Sequence, residues 1–347
     1  MFEQLYRQLP DFARPDHPVM RYLLLREGRR GGPGSRPLRI LAFLFIIGIL
    51  LILGYFIASD FGRGAIETSL PLDAVFLVLY WPLVFLQVLM RLIAFASTIG
   101  TIGAEVRTGT WDTLKITTDG ATLTMKARWA SAFYRMWFIL MVLVIARAIF
   151  IVVSLYNLYQ YQGHYLDLLL SGTVPLGQPP ITENTALPLG IVVVALGMTA
   201  AVIAPFTALA FDAGLGMLIS TFARGRLAGA LGQFMLILAR ILLTGWALWV
   251  GAAALSLSPF VRTGLGGALG PLDPQPASGW LGVFFGLAEG DLGLTLLHLP
   301  HVGRMWADYD YGILIGVAAL GYGLLQAALA NFMIWWAGRR ATRPERL

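Results

Sequence analysis

Arg91, Arg147 and Arg240 each fall near the middle of a long apolar run. An arginine at the centre of a bilayer costs roughly 2.5–3.5 kcal/mol on insertion scales. Three of them imply a polar interior or anionic company. Asp212 is the nearest acid by depth, though it lies nearer the cytoplasmic end of its run, and one carboxylate cannot neutralise three cations. Two readings follow. In the first, Arg91, Arg147, Arg240 and Asp212 line a positively charged route for an anionic substrate or lipid headgroup. In the second, the arginines are structural: they pair with Asp212, donate to helix carbonyls or snorkel to an interface.

Other chemistry is thin. His298 and His301 are three apart and would share a helical face, but Pro300 between them argues against a regular helix, and Glu289 and Asp291 are the only nearby acids. An interfacial loop with two unrelated histidines is the simpler expectation, with no metal site. His17 and His164 lie outside the apolar runs, so no span offers a histidine to a haem. There is no HExxH, no intramembrane histidine to activate a serine and no carboxylate pair within the runs. The chain has no cysteine, which removes thiolate catalysis, thiolate metal sites and disulfides. It also has no GxxxxGK[ST] phosphate loop. The expectation is a chain that is not an enzyme and holds no cofactor of its own.

Gly103 to Thr118, GAEVRTGTWDTLKITT, is the most polar and most patterned interruption of the apolar part. Thr110 can cap a short helix over Trp111–Ile116. Trp111 and Leu114, three apart, share one face of it, and Asp112 and Lys115 lie on another. The pattern predicts a short amphipathic helix at a membrane surface with a bulky apolar face open to a partner.

The elements that position these residues are membrane spans. The chain has 347 residues, 57% hydrophobic and 13% charged, with mean hydropathy +0.72. A soluble domain carries about 25% charged residues, and a span needs about 20 apolar residues. Six spans are expected, at about 38–59, 72–101, 132–157, 187–221, 226–257 and 311–338. Residues 1–37 read as a cytoplasmic, basic amphipathic segment, with Phe2, Leu5, Tyr6 and Leu9 at helical spacing and a second short helix from about Val19 to Arg30. Residues 339–347 read as a cytoplasmic tail. The first 39 residues lack the apolar core of a cleavable signal peptide.

Charge sets the orientation. With both termini inside, nineteen Lys and Arg face the cytoplasm, and only Arg63, Arg262 and Arg304 face out. The formal charge of +6 is then a topological signature and needs no nucleic acid. Trp280–Leu299 is apolar but broken by Glu289, Asp291 and glycines, which suits a re-entrant or interfacial helical pair better than a full span. Gly312, Gly316, Ala319, Gly323, Ala327 and Ala330 form a small-residue stripe on the last span. Packing against a neighbouring span of the same chain is preferred for it over a dimer seam.

Three segments together resemble the ABC-2-type permeases of ABC transporters. Glu105, Gly109-Thr110, Trp111, Asp112, Leu114 and Thr117-Thr118 are similar to the family's cytoplasmic coupling segment. His17-Pro18-Val19 with Leu25-Arg26-Glu27 is similar to the segment preceding its first span, with His17 where Asn is usual. Leu215–Ser220, Arg224 and Ala228 are similar to the Gly-Leu-Leu-Ser segment and basic turn between its fourth and fifth helices. The resemblance implies an all-α integral membrane protein with six transmembrane helices, ABC-2 exporter-like, with a coupling helix and external helices before the last span. It implies a permease in a prokaryotic inner membrane, a second permease subunit (identical or related), and a separate ABC ATPase that binds ATP and Mg. Glu105, Arg107, Gly109, Thr110, Trp111 and Leu114 would be the coupling surface. The other function class open to such a chain is a non-transporting structural or accessory subunit of a membrane complex.

Overall fold

The computed structural model of the protein describes residues 9–30, 71–107, 120–160, 186–222, 226–255, 276–308 and 312–342, with Phe45, Gly48 and Ile52. Within them there is helix and no strand. In chain order the α-helices are α1 (Pro18–Arg30), α2 (Pro71–Ile99), α3 (Thr101–Arg107), α4 (Gly120–Gln160), α5 (Ala186–Ser220), α6 (Arg226–Ala254), α7 (Pro276–Ala288), α8 (Leu299–Asp308) and α9 (Ile315–Thr342). Short 3-10 turns cover Asp11–Ala13, Leu292–Leu297 and Gly312–Leu314.

Among the described residues five helices, α2, α4, α5, α6 and α9, are long and apolar enough to cross a membrane. The chain is an all-α, multi-pass membrane protein. The expected first span, 38–59, lies outside the described residues apart from Phe45, Gly48 and Ile52. The observed ends of α2, α5 and α6 fall within a few residues of those expected.

Two boundaries differ. The sequence places the start of the third expected span near 132, but α4 begins at Gly120 and runs 41 residues, about 60 Å at 1.5 Å per residue. That is twice the ~30 Å hydrocarbon core, so α4 continues well beyond it. Its extension is held by packing. Met20 and Leu23 of α1, with Ala13, bury against Ala127 and Ala130, and the Tyr134 hydroxyl donates to the Ala13 carbonyl at 2.7 Å. The last helix also outruns its expected end at 338 and reaches Thr342. Arg339 lies over the Trp335 ring at 4.1 Å and Arg340 over Phe222 at 3.7 Å, contacts that carry these arginines into the helix.

The core is built around α2 and α5, and α9 lies along α5. Small residues set that approach. Gly316 meets the backbone of Gly197, Gly214 meets Ala330, and Gly323 lies near the Thr207 hydroxyl. The small-residue stripe of the last span therefore packs within the chain. Ala327, which the spacing placed on the stripe, is exposed.

Candidate functional site

The segment from α7 to α8 carries the acids that the intramembrane arginines lacked. Thirteen residues of α7 are about 20 Å long. They run antiparallel to α6 in close contact: Gly282 faces Ala254, Gly286 faces Gly251 and Gly290 faces Leu248. A Cβ on Gly251 would come within 2.3 Å of the Gly286 Cα, so only glycine permits this approach. The chain then turns at Glu289-Gly290-Asp291. Asp291 adopts φ 56 and ψ 31, a left-handed conformation to which Asp is better suited than most residues. It returns through the Leu292–Leu297 turn, every residue of which is buried. By His298 it has reached the far ends of the spans, where the imidazole stacks on Phe76 at 4.3 Å and Ser154 donates to the Leu297 carbonyl at 2.5 Å. The segment enters the helical bundle and leaves on the same side, which makes it re-entrant.

Pro300 does not prevent a regular helix, contrary to the sequence-based expectation. It occupies the second position of α8, which begins at Leu299, and in the first turn of a helix the missing N–H is no loss. His298 is buried and precedes α8, whereas His301 lies within it. No group of three His, Asp or Glu able to hold a metal occurs among the described residues.

Arg91 of α2 receives the tip of the segment. Its Nε donates to Asp212 Oδ2 at 2.5 Å. Its Nη1 donates to the carbonyls of Ala288 and Glu289 at 3.1 Å and to Asp291 Oδ2 at 2.9 Å. Its Nη2 donates to Glu289 Oε2 at 3.3 Å. Arg240 of α6 closes the other side, with Nη1 donating to Glu289 Oε2 at 2.5 Å and Nη2 lying 2.7 Å from Asp212 Oδ1. The Tyr322 hydroxyl of α9 donates to Glu289 Oε1 at 3.2 Å. Arg91 and Asp212 are essentially fully buried.

Arg147 of α4 stands apart from these ion pairs. It is also fully buried, and its guanidinium donates to the Ala201 carbonyl and to Gln87 Oε1. With Arg147 included, three guanidinium groups balance Asp212, Glu289 and Asp291. Charge balance of this kind is what makes burial of so many ions tolerable, because an unpaired buried charge costs several kcal/mol.

Of the expected route residues, the structure therefore brings Arg91, Arg240 and Asp212 into one cluster and places Arg147 beside it. Sequence reasoning missed Glu289 and Asp291 as their partners, along with Tyr322 and Gln87. A signal was present. Tyr80, Gln87 and Arg91, spaced seven and four, make one polar stripe on an otherwise apolar helix.

At the far end of α2, Glu105 lies in α3 and Arg107 is its last residue. Gly109, Thr110, Trp111 and Leu114 lie outside the described residues. The start of the polar stretch, Gly103–Arg107, is thus helical. It is fixed at two points: the Ile102 N–H donates to Ser220 Oγ at 2.9 Å, and Arg128 pairs with the buried Glu105 carboxylate. Ile102, Met125, Met217 and Ala341 close around it, joining α3, α4, α5 and α9.

No protein-family model, no curated protein and no solved structure matches this chain.

Proposed function

We propose that this chain is the membrane-spanning permease subunit of an ATP-driven ABC transporter of the ABC-2 type, an exporter of a prokaryotic inner membrane. It works with a separate ATPase subunit and a second permease subunit. The observation that carries this reading is the mechanical continuity of α3. This helix follows α2 across one residue, Gly100, and leads directly into the polar stretch with Trp111 and Leu114. A push on that stretch is delivered through α3 to the Glu105–Arg128 and Ile102–Ser220 contacts, and so to α4 and α5.

In this mechanism the ATPase supplies energy and this chain supplies the path and the gate. Closure of the ATPase on ATP moves the coupling stretch, and α2 tilts with it. Arg91 rides on α2, so its tilt loads the ion pairs to the re-entrant tip. The balanced charge suits a latch between re-entrant segment and spans better than an open anionic route. Charge balance is also the observation that favours the second reading, a non-transporting accessory subunit, since a sealed cluster needs no cargo.

Mild extraction of the native complex, with mass spectrometry of what co-purifies, separates the two. The transporter reading expects a chain with a phosphate-binding loop in equal ratio, lost when Trp111 and Leu114 are both changed to Asp. Stable recovery without an ATPase, unaffected by that change, supports the accessory reading.

A further inference from the structure

Helix α5 carries a proline in its interior, Pro205. Proline has no N–H, so the carbonyl four residues earlier, that of Ala201, loses its partner within the helix. Ala201 is fully buried, and at membrane depth a backbone carbonyl has to be met from within the protein. Arg147 meets it. From α4 its Nη1 donates to the Ala201 carbonyl, and its Nη2 donates to Gln87 Oε1 of α2. Arg147 and Gln87 are themselves fully buried. The interior ion pairs belong to Arg91 and Arg240, whereas Arg147 is held by a carbonyl and an amide. One guanidinium thus joins α2, α4 and α5 at the level where α5 lacks a backbone hydrogen bond.

The two parts of α5 have different attachments. Before Pro205, Gly197 packs on Gly316 of α9. Beyond it, Asp212 accepts from Arg91, Gly216 lies against Thr98 and the Phe95 carbonyl of α2, and Ser220 accepts from the Ile102 N–H of α3. Asp212 follows Pro205 by two helical turns, about 10 Å along the axis. A change of about 10° in the bend at the proline would move it by about 2 Å, enough to take it out of hydrogen-bonding range of Arg91 and Arg240.

We propose that Arg147 is a positioning residue: by satisfying the carbonyl that Pro205 leaves open, it fixes the bend of α5 and so holds Asp212 against Arg91 and Arg240. Withdrawal of the guanidinium frees α5 to flex at this point. The role is the same in a transporter and in an accessory subunit, and its test reads a distance within one chain.

The chain has no cysteine, so Val192→Cys and Ile219→Cys can carry spin labels on the two parts of α5, about 40 Å apart. The measurement is the distance distribution by pulsed electron paramagnetic resonance, on the full chain in lipid nanodiscs. One narrow distribution is expected with no further change. Arg147→Met at least doubles its width. Adding Pro205→Ala, which returns an N–H to the Ala201 carbonyl, restores the narrow distribution although the charge is still missing. Pro205→Ala also raises the melting temperature by several degrees more beside Arg147→Met than it does alone. Equal gains in the two backgrounds overturn the proposal, because an alanine that merely improves the helix adds the same amount to both. So does a distribution that Arg147→Met leaves narrow, or one that stays broad after Pro205→Ala, which assigns Arg147 to charge balance alone. If Arg147→Met does not fold, Gln87→Leu takes its place in the same cycle and the same outcomes decide, since it removes one support of the guanidinium and leaves its charge.

Discussion

Arg91 Nη1 donates to Asp291 Oδ2 at 2.9 Å, across 200 residues of sequence. Through this contact a helix from the first half of the chain holds the tip of a segment that enters the bundle just before the last span. Asp212 and Arg240 complete the ring from α5 and α6. The pairs lie in the interior, so their value depends on all being present together. Breaking a buried pair by removing one partner costs about 3–5 kcal/mol, because the other charge stays buried and unmatched.

Arg91→Leu is therefore expected to lower unfolding stability by at least about 3 kcal/mol, read from thermal or denaturant unfolding in detergent. Arg91→Lys should fall between, since an ammonium keeps the charge and loses the planar fork that reaches Asp212 and Asp291 together. Equal stability of Arg91→Leu and the unmutated chain would show that the cluster is not formed.

Glycine contacts give a sharper contrast. Gly251→Val puts a side chain where the α7 backbone lies, and Gly286→Val does the same from the other helix. Either should expel the re-entrant segment and expose its tip to protease. A Cβ added at Gly245 in α6 would meet nothing within 4 Å, so Gly245→Ala should stabilise by about 0.5–1 kcal/mol through helix propensity.

The Glu105–Arg128 pair is the expected hinge pin of the coupling side. A double-mutant cycle with Glu105→Gln and Arg128→Met should show an interaction of about 0.5–3 kcal/mol. If the pair transmits force as proposed, the single variants also lower ATP-dependent transport while the ATPase still co-purifies. Independent, additive effects on stability with normal transport would remove the pair from the mechanism.

Much of this architecture was legible in the sequence. Apolar length located five of the six expected spans, because a bilayer imposes a fixed thickness on any crossing helix. The small stripe at Gly316 and Gly323 announced a close helix contact, and the acids and glycines of 280–299 announced a segment unable to cross. The partner relationships were not legible. Glu289 and Asp291 reach Arg91 only because α7 folds back along α6, and that reversal depends on a Gly251–Gly286 contact between residues far apart in sequence. The extension of α4 to Gly120 was hidden for a similar reason. Its polar first turns are stabilised by packing with the N-terminal segment, and hydropathy does not record such packing. The coupling helix expected at 111–116 lies outside the described residues.

The depth of the re-entrant segment is the claim on which the cluster and the latch both rest. The absence of cysteine allows it to be tested with a single engineered pair. A Cβ built on Gly293 lies 3.9 Å from the Ala204 Cβ, inside the 3.5–4.5 Å range that a disulfide requires. The measurement is oxidation of the Ala204→Cys, Gly293→Cys double variant in native membranes, read by mass spectrometry of the linked peptides. The account predicts near-complete crosslinking, and protection of the Gly293→Cys single variant from a membrane-impermeant maleimide. Absence of the crosslink, with ready labelling of residue 293 from outside, would place the segment on the surface and contradict it.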